Sequence, residues 1–163
     1  MTSTTIRAAR RPFPLSLLAG GLVASIVMGM WQMILEAIIP GGAGFWSPPV
    51  LIAATILRDL QTVSVPVPFH PLGVLLGLMG HMMNAVIFGL IFTFLIAPRT
   101  RSLIGQAVAG MVYGAAIYLV MWFAVVPLVD PVMAHLNPLL FFLGHLMYGL
   151  ALGLVNHKVT PKA

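Results

Sequence analysis

Four apolar stretches, at about residues 15–39, 72–97, 103–129 and 136–155, constrain this chain more than any other feature. Each is long enough to cross a hydrocarbon core of about 30 Å, which takes about 20 helical residues. Backbone N–H and C=O groups in hydrocarbon must be satisfied within the segment, so stretches of this length and continuity are expected to be helices. Pro40, Pro71, Pro98, Pro131 and Pro138 fall at their ends, where helices start or stop. Composition agrees: 60% of the 163 residues are hydrophobic and 7% are charged, against about 25% charged for a soluble domain. The expected fold is an all-α membrane protein, a single four-helix transmembrane domain over residues 15–156. A basic leader (1–14) precedes it and a short tail (157–163) follows. The first stretch follows basic residues as a signal peptide would, but it is longer than a 7–15-residue signal core and has no A-x-A site. It reads as an uncleaved span.

The formal net charge of +5 is not spread as a nucleic-acid-binding surface would be. Arg7, Arg10 and Arg11 precede span one, Arg99 and Arg101 separate spans two and three, and Lys158 and Lys162 follow span four. Arg58 alone lies on the other side, with Glu36, Asp59 and Asp130. The positive-inside rule then predicts a multi-pass protein with both termini and the 98–102 loop in the cytoplasm. With no cysteine, disulfides, thiolate metal sites and covalently attached haem are excluded.

The only long connection, residues 41–71, is not simply polar. GGAGFWSPP is a turn-rich start with interfacial aromatics, and Ser47-Pro48 resembles an N-cap followed by a first helical position. VLIAATILRDLQ then has helical character but is too short to span, which predicts a short interfacial or re-entrant helix. VSVPVPFHP returns as a proline-stiffened extended segment.

Residues 76–90 (LGLMGHMMNAVIFGL) and 140–154 (LFFLGHLMYGLALGL) agree at six of fifteen positions. Met30-Trp31 and Met121-Trp122 are followed, at equal spacing, by Pro40 and Pro131. Together these echoes predict two similar hairpins, spans 1–2 and 3–4, from an internal duplication.

Small residues mark the faces expected to pack. Gly73, Gly77, His81, Ala85 and Gly89 recur every four residues in span two, and His145, Gly149 and Gly153 repeat the device in span four. Span one offers Gly21, Ser25 and Gly29, and span three Gly110 and Gly114. Such rows allow close backbone approach between membrane helices. The two histidines on these rows are harder to dismiss, because a polar side chain at mid-span is costly. Asn84 follows His81 by one turn and Tyr148 follows His145, so the four form a candidate proton or ligand site with hydrogen bonding across the bundle.

Three readings of the pair stand open. One is an interhelical hydrogen bond from neutral imidazole, worth about 0.6–2 kcal/mol. A second is protonation chemistry, with Glu36, Arg58, Asp59, His70, Asp130 and His135 as an outer-face polar cluster. The third is haem b or a metal held by two histidines, with glycines making room. Glu36 is expected to be solvated near the interface, and Arg58 to anchor to headgroups or cap the bundle. Trp31, Trp46 and Trp122 suit an aromatic belt, and His157 a solvated tail. No P-loop, GxSxG, HExxH or dinucleotide fingerprint is present, so an enzyme is not expected. Apart from the bilayer, the expected partners are a second copy or a larger membrane complex, for which the eleven Met residues supply adaptable surface.

The order of Gly29 to Glu36 closing span one, Leu57-Arg58-Asp59 in the outer segment and Gly80 to Asn84 (GHMMN) in span two resembles the YagU-like family of small bacterial inner-membrane proteins. GQAVAG at 105–110 and FFLGHL at 141–146 continue the similarity over roughly residues 18–150. The outer segment is shorter than in that family, and the long charged tail is missing. The resemblance implies a polytopic protein of the cytoplasmic membrane with no established biochemical activity, and implies that Arg58-Asp59 and both Gly-His pairs are family features. It brings no cofactor or substrate.

Overall fold

A computed structural model of the chain describes residues 16–100 and 102–159. Arg7, Arg10, Arg11, Arg101 and Lys162, on which most of the charge asymmetry rests, lie outside the described residues. The described chain is α-helical in six segments: α1 (Ser16–Ile38), α2 (Ser47–Ala53), α3 (Pro71–Ile91), α4 (Leu103–Val120), α5 (Val126–Leu128) and α6 (Pro138–Val159). Among the described residues, four continuous helical stretches are long and apolar enough to cross a membrane: Leu18–Ile38, Pro71–Arg99, Leu103–Leu128 and Pro138–Val159. Much of their apolar surface stays exposed, Ile26, Met79, Met83, Val112 and Phe123 included, as expected where lipid is the solvent.

Local chemistry sets the boundaries. The His70 imidazole accepts a bond from Gly73 N at 2.9 Å and caps α3, whose first residue is Pro71. Ser102 Oγ does the same for α4 through Gly105 N, and Asn137 Oδ1 accepts from Leu139 N and Leu140 N at the start of α6. Span four therefore starts at Pro138 rather than 136 and runs on to Val159.

Spans two and three each pass through one wide π-helical turn, Phe92–Ile96 and Met121–Val125, and a proline stands two residues beyond each. Pro98 and Pro127 have no N–H for the carbonyl four residues back, and their rings press on it; a widened turn relieves both problems. After the second turn, Val129 N and Asp130 N both bond to the Val125 carbonyl, at 2.8 and 3.2 Å.

The spans form an open arc in the order α4, α6, α1, α3, because α6 packs on both α4 and α1, and α1 on both α6 and α3. Glycines set these contacts. A Cβ on Gly110 would collide with the Gly149 carbonyl, on Gly114 with that of His145, and on Gly153 with that of Gln106. At Gly89 it would lie 2.9 Å from Gly21 Cα. The small-residue row of span two serves two partners: its second half meets α1 at Gly21, and its first half meets α2, where Gly77 lies against the Pro49 carbonyl.

The 41–71 connection departs from its expected form. Ser47 is the first residue of α2 rather than its cap, and its hydroxyl donates backwards to the Gly44 carbonyl at 2.6 Å. The expected single helix ends at Ala53; after a break, Arg58–Thr62 forms a 3-10 turn. Ser47, Pro48, Pro49, Val50, Leu51 and Ala53 are all buried, so α2 is wedged into the bundle beside α3. A helix lying flat in a membrane interface would instead leave one face exposed.

At the opposite end the 97–102 loop is tied to the bundle. Gln106 Nε2 donates to the carbonyls of Ala97 and Thr100, and buried Asn156 donates to Thr93 Oγ1 at 2.6 Å.

Candidate functional site

Spans two and three flank a gap in the arc. They are joined low in it, where the Tyr113 hydroxyl donates to the Phe88 carbonyl at 3.0 Å and the Phe92 and Tyr113 rings pack 5.6 Å apart. Towards the end holding the 39–70 connection they diverge around a cavity of about 190 Å³. His81, Asn84 and Phe88 of α3 form one side, and Ile117 of α4 with Met121 and Val125 of the π turn the other. Met28 of α1 and Phe141, His145 and Tyr148 of α6 form the back, and Thr55 and Asp130 the top. About 10–15 Å³ holds one water by this measure, so there is room for several.

The histidines share this cavity but do not bond to each other. His81 Nε2 lies 3.1 Å from the Ser25 carbonyl of α1, and His145 Nδ1 lies 2.8 Å from the Phe141 carbonyl one turn back in its own helix. A carbonyl only accepts, so each of these nitrogens carries the ring proton. Among the described residues, His81 Nδ1 and His145 Nε2 have no hydrogen-bond partner, and in neutral rings both are acceptors. The imidazole packs beside Gly29, where a Cβ would meet Nε2 at 3.4 Å. His145 is 4% exposed, held edge-on by Phe141 at 4.5 Å and Tyr118 at 5.9 Å between ring centroids.

The expected bonding across the bundle is realised differently. The Tyr148 hydroxyl donates to the Ala85 carbonyl of α3 at 2.6 Å, closing the cavity floor, while Asn84 is exposed in the gap. Asn84 and Tyr148 are therefore not paired. Packing forces this, since small Ala85 brings the α3 backbone within reach of the phenol.

The six polar residues expected to form one outer cluster are separated. Glu36 is 1% exposed, which corrects the expectation of a solvated carboxylate. Its Oε1 accepts from Gln32 Nε2 at 3.0 Å and Asn137 N at 2.8 Å, and its Oε2 accepts from Ala43 N at 3.0 Å. That carboxylate joins the end of α1 to both connections. Asp130, also 1% exposed, accepts from the Thr55 hydroxyl at 3.0 Å and from Gln61 Nε2. Burial raises its carboxyl above the ordinary 3.8, partly offset by the bonds from Gln61 and Thr55 and by the Arg58 charge. Arg58 donates to the Val129 carbonyl at 3.2 Å, so it caps the end of span three. Asp59 and His135 are exposed, and His70 is occupied in capping α3.

Sequence reasoning passed over Gln32, Thr55 and Gln61, and took Ser25 only as a small packing residue. Ser25, Gly29, Gln32 and Glu36 lie at 4-3-4 spacing on one face of span one, the signal that would have grouped them. Among the described residues, the Ser25 hydroxyl and Gln32 Oε1 are buried without a hydrogen-bond partner. A second, smaller cavity of about 40 Å³ lies against Gly29, Gln32 and His81.

His81 Nε2 is bonded to the Ser25 carbonyl, and the cavity of about 190 Å³ is smaller than the roughly 300–1,000 Å³ of pockets for drug-sized ligands. No group of three or more histidine, aspartate or glutamate side chains placed to hold a metal occurs among the described residues. No family model matches the chain, and no curated protein or solved structure is detectably similar to it.

Proposed function

We propose that this is a non-enzymatic, multi-pass protein of a bacterial cytoplasmic membrane, with both termini inside, that responds to or conducts protons through His81 and His145. The observation that carries the reading is their position with Asp130 on one cavity spanned by four helices. Imidazole is the side chain whose charge changes across the physiological range, and a polar group at this depth is costly unless it has a task.

In this mechanism external protons reach the cavity top beside Asp130 and Thr55. Protonation of either imidazole places charge against walls that are mostly apolar, and a second charge in the same cavity repels the first. The arc offers a way to relieve both: spans two and three are joined by the Tyr113 and Phe88 contact low in the gap, and can move apart above it. Among the described residues, Arg58 beside Asp130, Tyr148 and Tyr113 at the floor and Glu36 behind Gln32 are the other titratable groups bordering this path. The two-hairpin duplication and the YagU-like resemblance belong to the same proposal, resting on the repeated Gly-His pairs and on GHMMN.

The test is proton flux and pH-dependent tryptophan fluorescence in proteoliposomes. The expected outcome is that the double variant His81→Ala, His145→Ala loses both responses. Unchanged flux and unchanged fluorescence would overturn the reading.

A further inference from the structure

We infer that the gap between α3 and α4 is a binding site, reached sideways from the bilayer, for a one-ring aromatic molecule bearing a hydroxyl donor: a phenol or hydroquinone head. It rests on the assignment of His81 and His145 as the working groups of the cavity, and it names what they hold. Size comes first. A cavity of about 150 Å³ takes benzene, so about 190 Å³ takes one substituted ring. The walls suit a ring face, with Met28, Met121, Phe88 and Ile117 offering thioether and apolar contacts.

Hydrogen-bond polarity then selects the head. Both imidazoles have given their N–H to backbone carbonyls, at 3.1 Å for His81 and 2.8 Å for His145, so each offers the cavity only a lone pair. A ligand made solely of acceptors, such as a quinone carbonyl or an ether, meets lone pairs there; a hydroxyl satisfies them. Asn84, exposed in the gap at mid-span, gives a polar group at the rim past which such a head enters. The Tyr148 bond to Ala85 and the Tyr113 bond to Phe88 keep the floor closed, so the ring stops beside the histidines.

The probes are 4-fluorophenol and 4-fluorotoluene, matched in ring and size, titrated by fluorine NMR into the full chain in nanodiscs. The expected result is saturable phenol binding about tenfold tighter than toluene, the worth of about one buried hydrogen bond. His81→Phe with His145→Phe should bring the two probes to parity while keeping an aromatic shape. Met121→Trp fills the cavity wall without replacing either histidine and should abolish saturable binding of both; helical circular dichroism checks that each variant folds. Equal affinities in the natural chain, or signals that never saturate and ignore Met121→Trp, overturn the inference. Proton flux measured without ligand separates the two ideas. Phenol selectivity with histidine-independent flux defeats only the proton reading, and histidine-dependent flux without phenol selectivity defeats only this one.

Discussion

The hydroxyl of Tyr148 lies 2.6 Å from the carbonyl oxygen of Ala85, tying span four to span two across the floor of the cavity. With the Tyr113 bond to Phe88, it is one of two phenols that hold α3 by its backbone. Spans two and three therefore meet at the contact between Tyr113 and Phe88, with a gap above it. The cavity, its polar lining and its proposed work all follow from that wedge.

Backbone contact at Gly110 and Gly149 should make the α4–α6 pair intolerant of a methyl group. Gly110→Ala is expected to destabilise by about 1–3 kcal/mol, the usual cost of overpacking. Gly80→Ala, whose Cβ would meet Ile52 Cγ2 at 3.7 Å in ordinary contact, should be near neutral. Reversible SDS unfolding in mixed micelles compares the two, and equal losses would contradict the packing described.

Glu36 accepts three hydrogen bonds while almost fully buried. Glu36→Gln replaces one acceptor with an amide donor that faces a backbone N–H, leaving a buried group unsatisfied. The expected loss is about 1–3 kcal/mol, measured in the same unfolding assay. It should appear at high salt as well as low, because the partners are neutral donors.

Asp130 gives a pH signature of the opposite kind to a paired surface carboxylate. Its carboxyl is raised by burial, so the folded state holds a proton that the unfolded state has released. The resulting stabilisation is fully present below the ordinary 3.8 and is lost as pH rises through the elevated folded value. Asp130→Asn keeps an acceptor for Thr55 or Gln61 and removes the charge. The melting temperature of the variant should therefore gain on that of the natural chain as pH rises through this window. A gap between them that stays constant with pH would show that the carboxyl does not titrate there.

Much of this molecule was legible in order and length. Hydropathy located four spans, and prolines placed their ends within a few residues, because both act through short-range physics: transfer of side chains to lipid and loss of a backbone donor. The every-four spacing of Gly73, Gly77, Ala85 and Gly89 marked a face for close packing, and all four are buried. Spacing could not say that one row serves two partners, α2 against Gly77 and α1 against Gly89.

Likewise, sequence brought six polar residues to one end of the bundle but could not divide them into buried clasps around Glu36 and Asp130, a helix cap at His70 and exposed Asp59 and His135. Which donor meets which acceptor depends on connections that meet only in three dimensions, such as Asn137 reaching Glu36 across 101 positions. For the histidines, sequence determined their existence, repetition and cost. The tertiary structure decided their hydrogen bonding. The α3 helix carries His81 past Gly29 to the Ser25 carbonyl of α1, while His145 bonds to the Phe141 carbonyl one turn back in its own helix. Composition and periodicity specify what must be buried; only the packed arc specifies what each buried group faces.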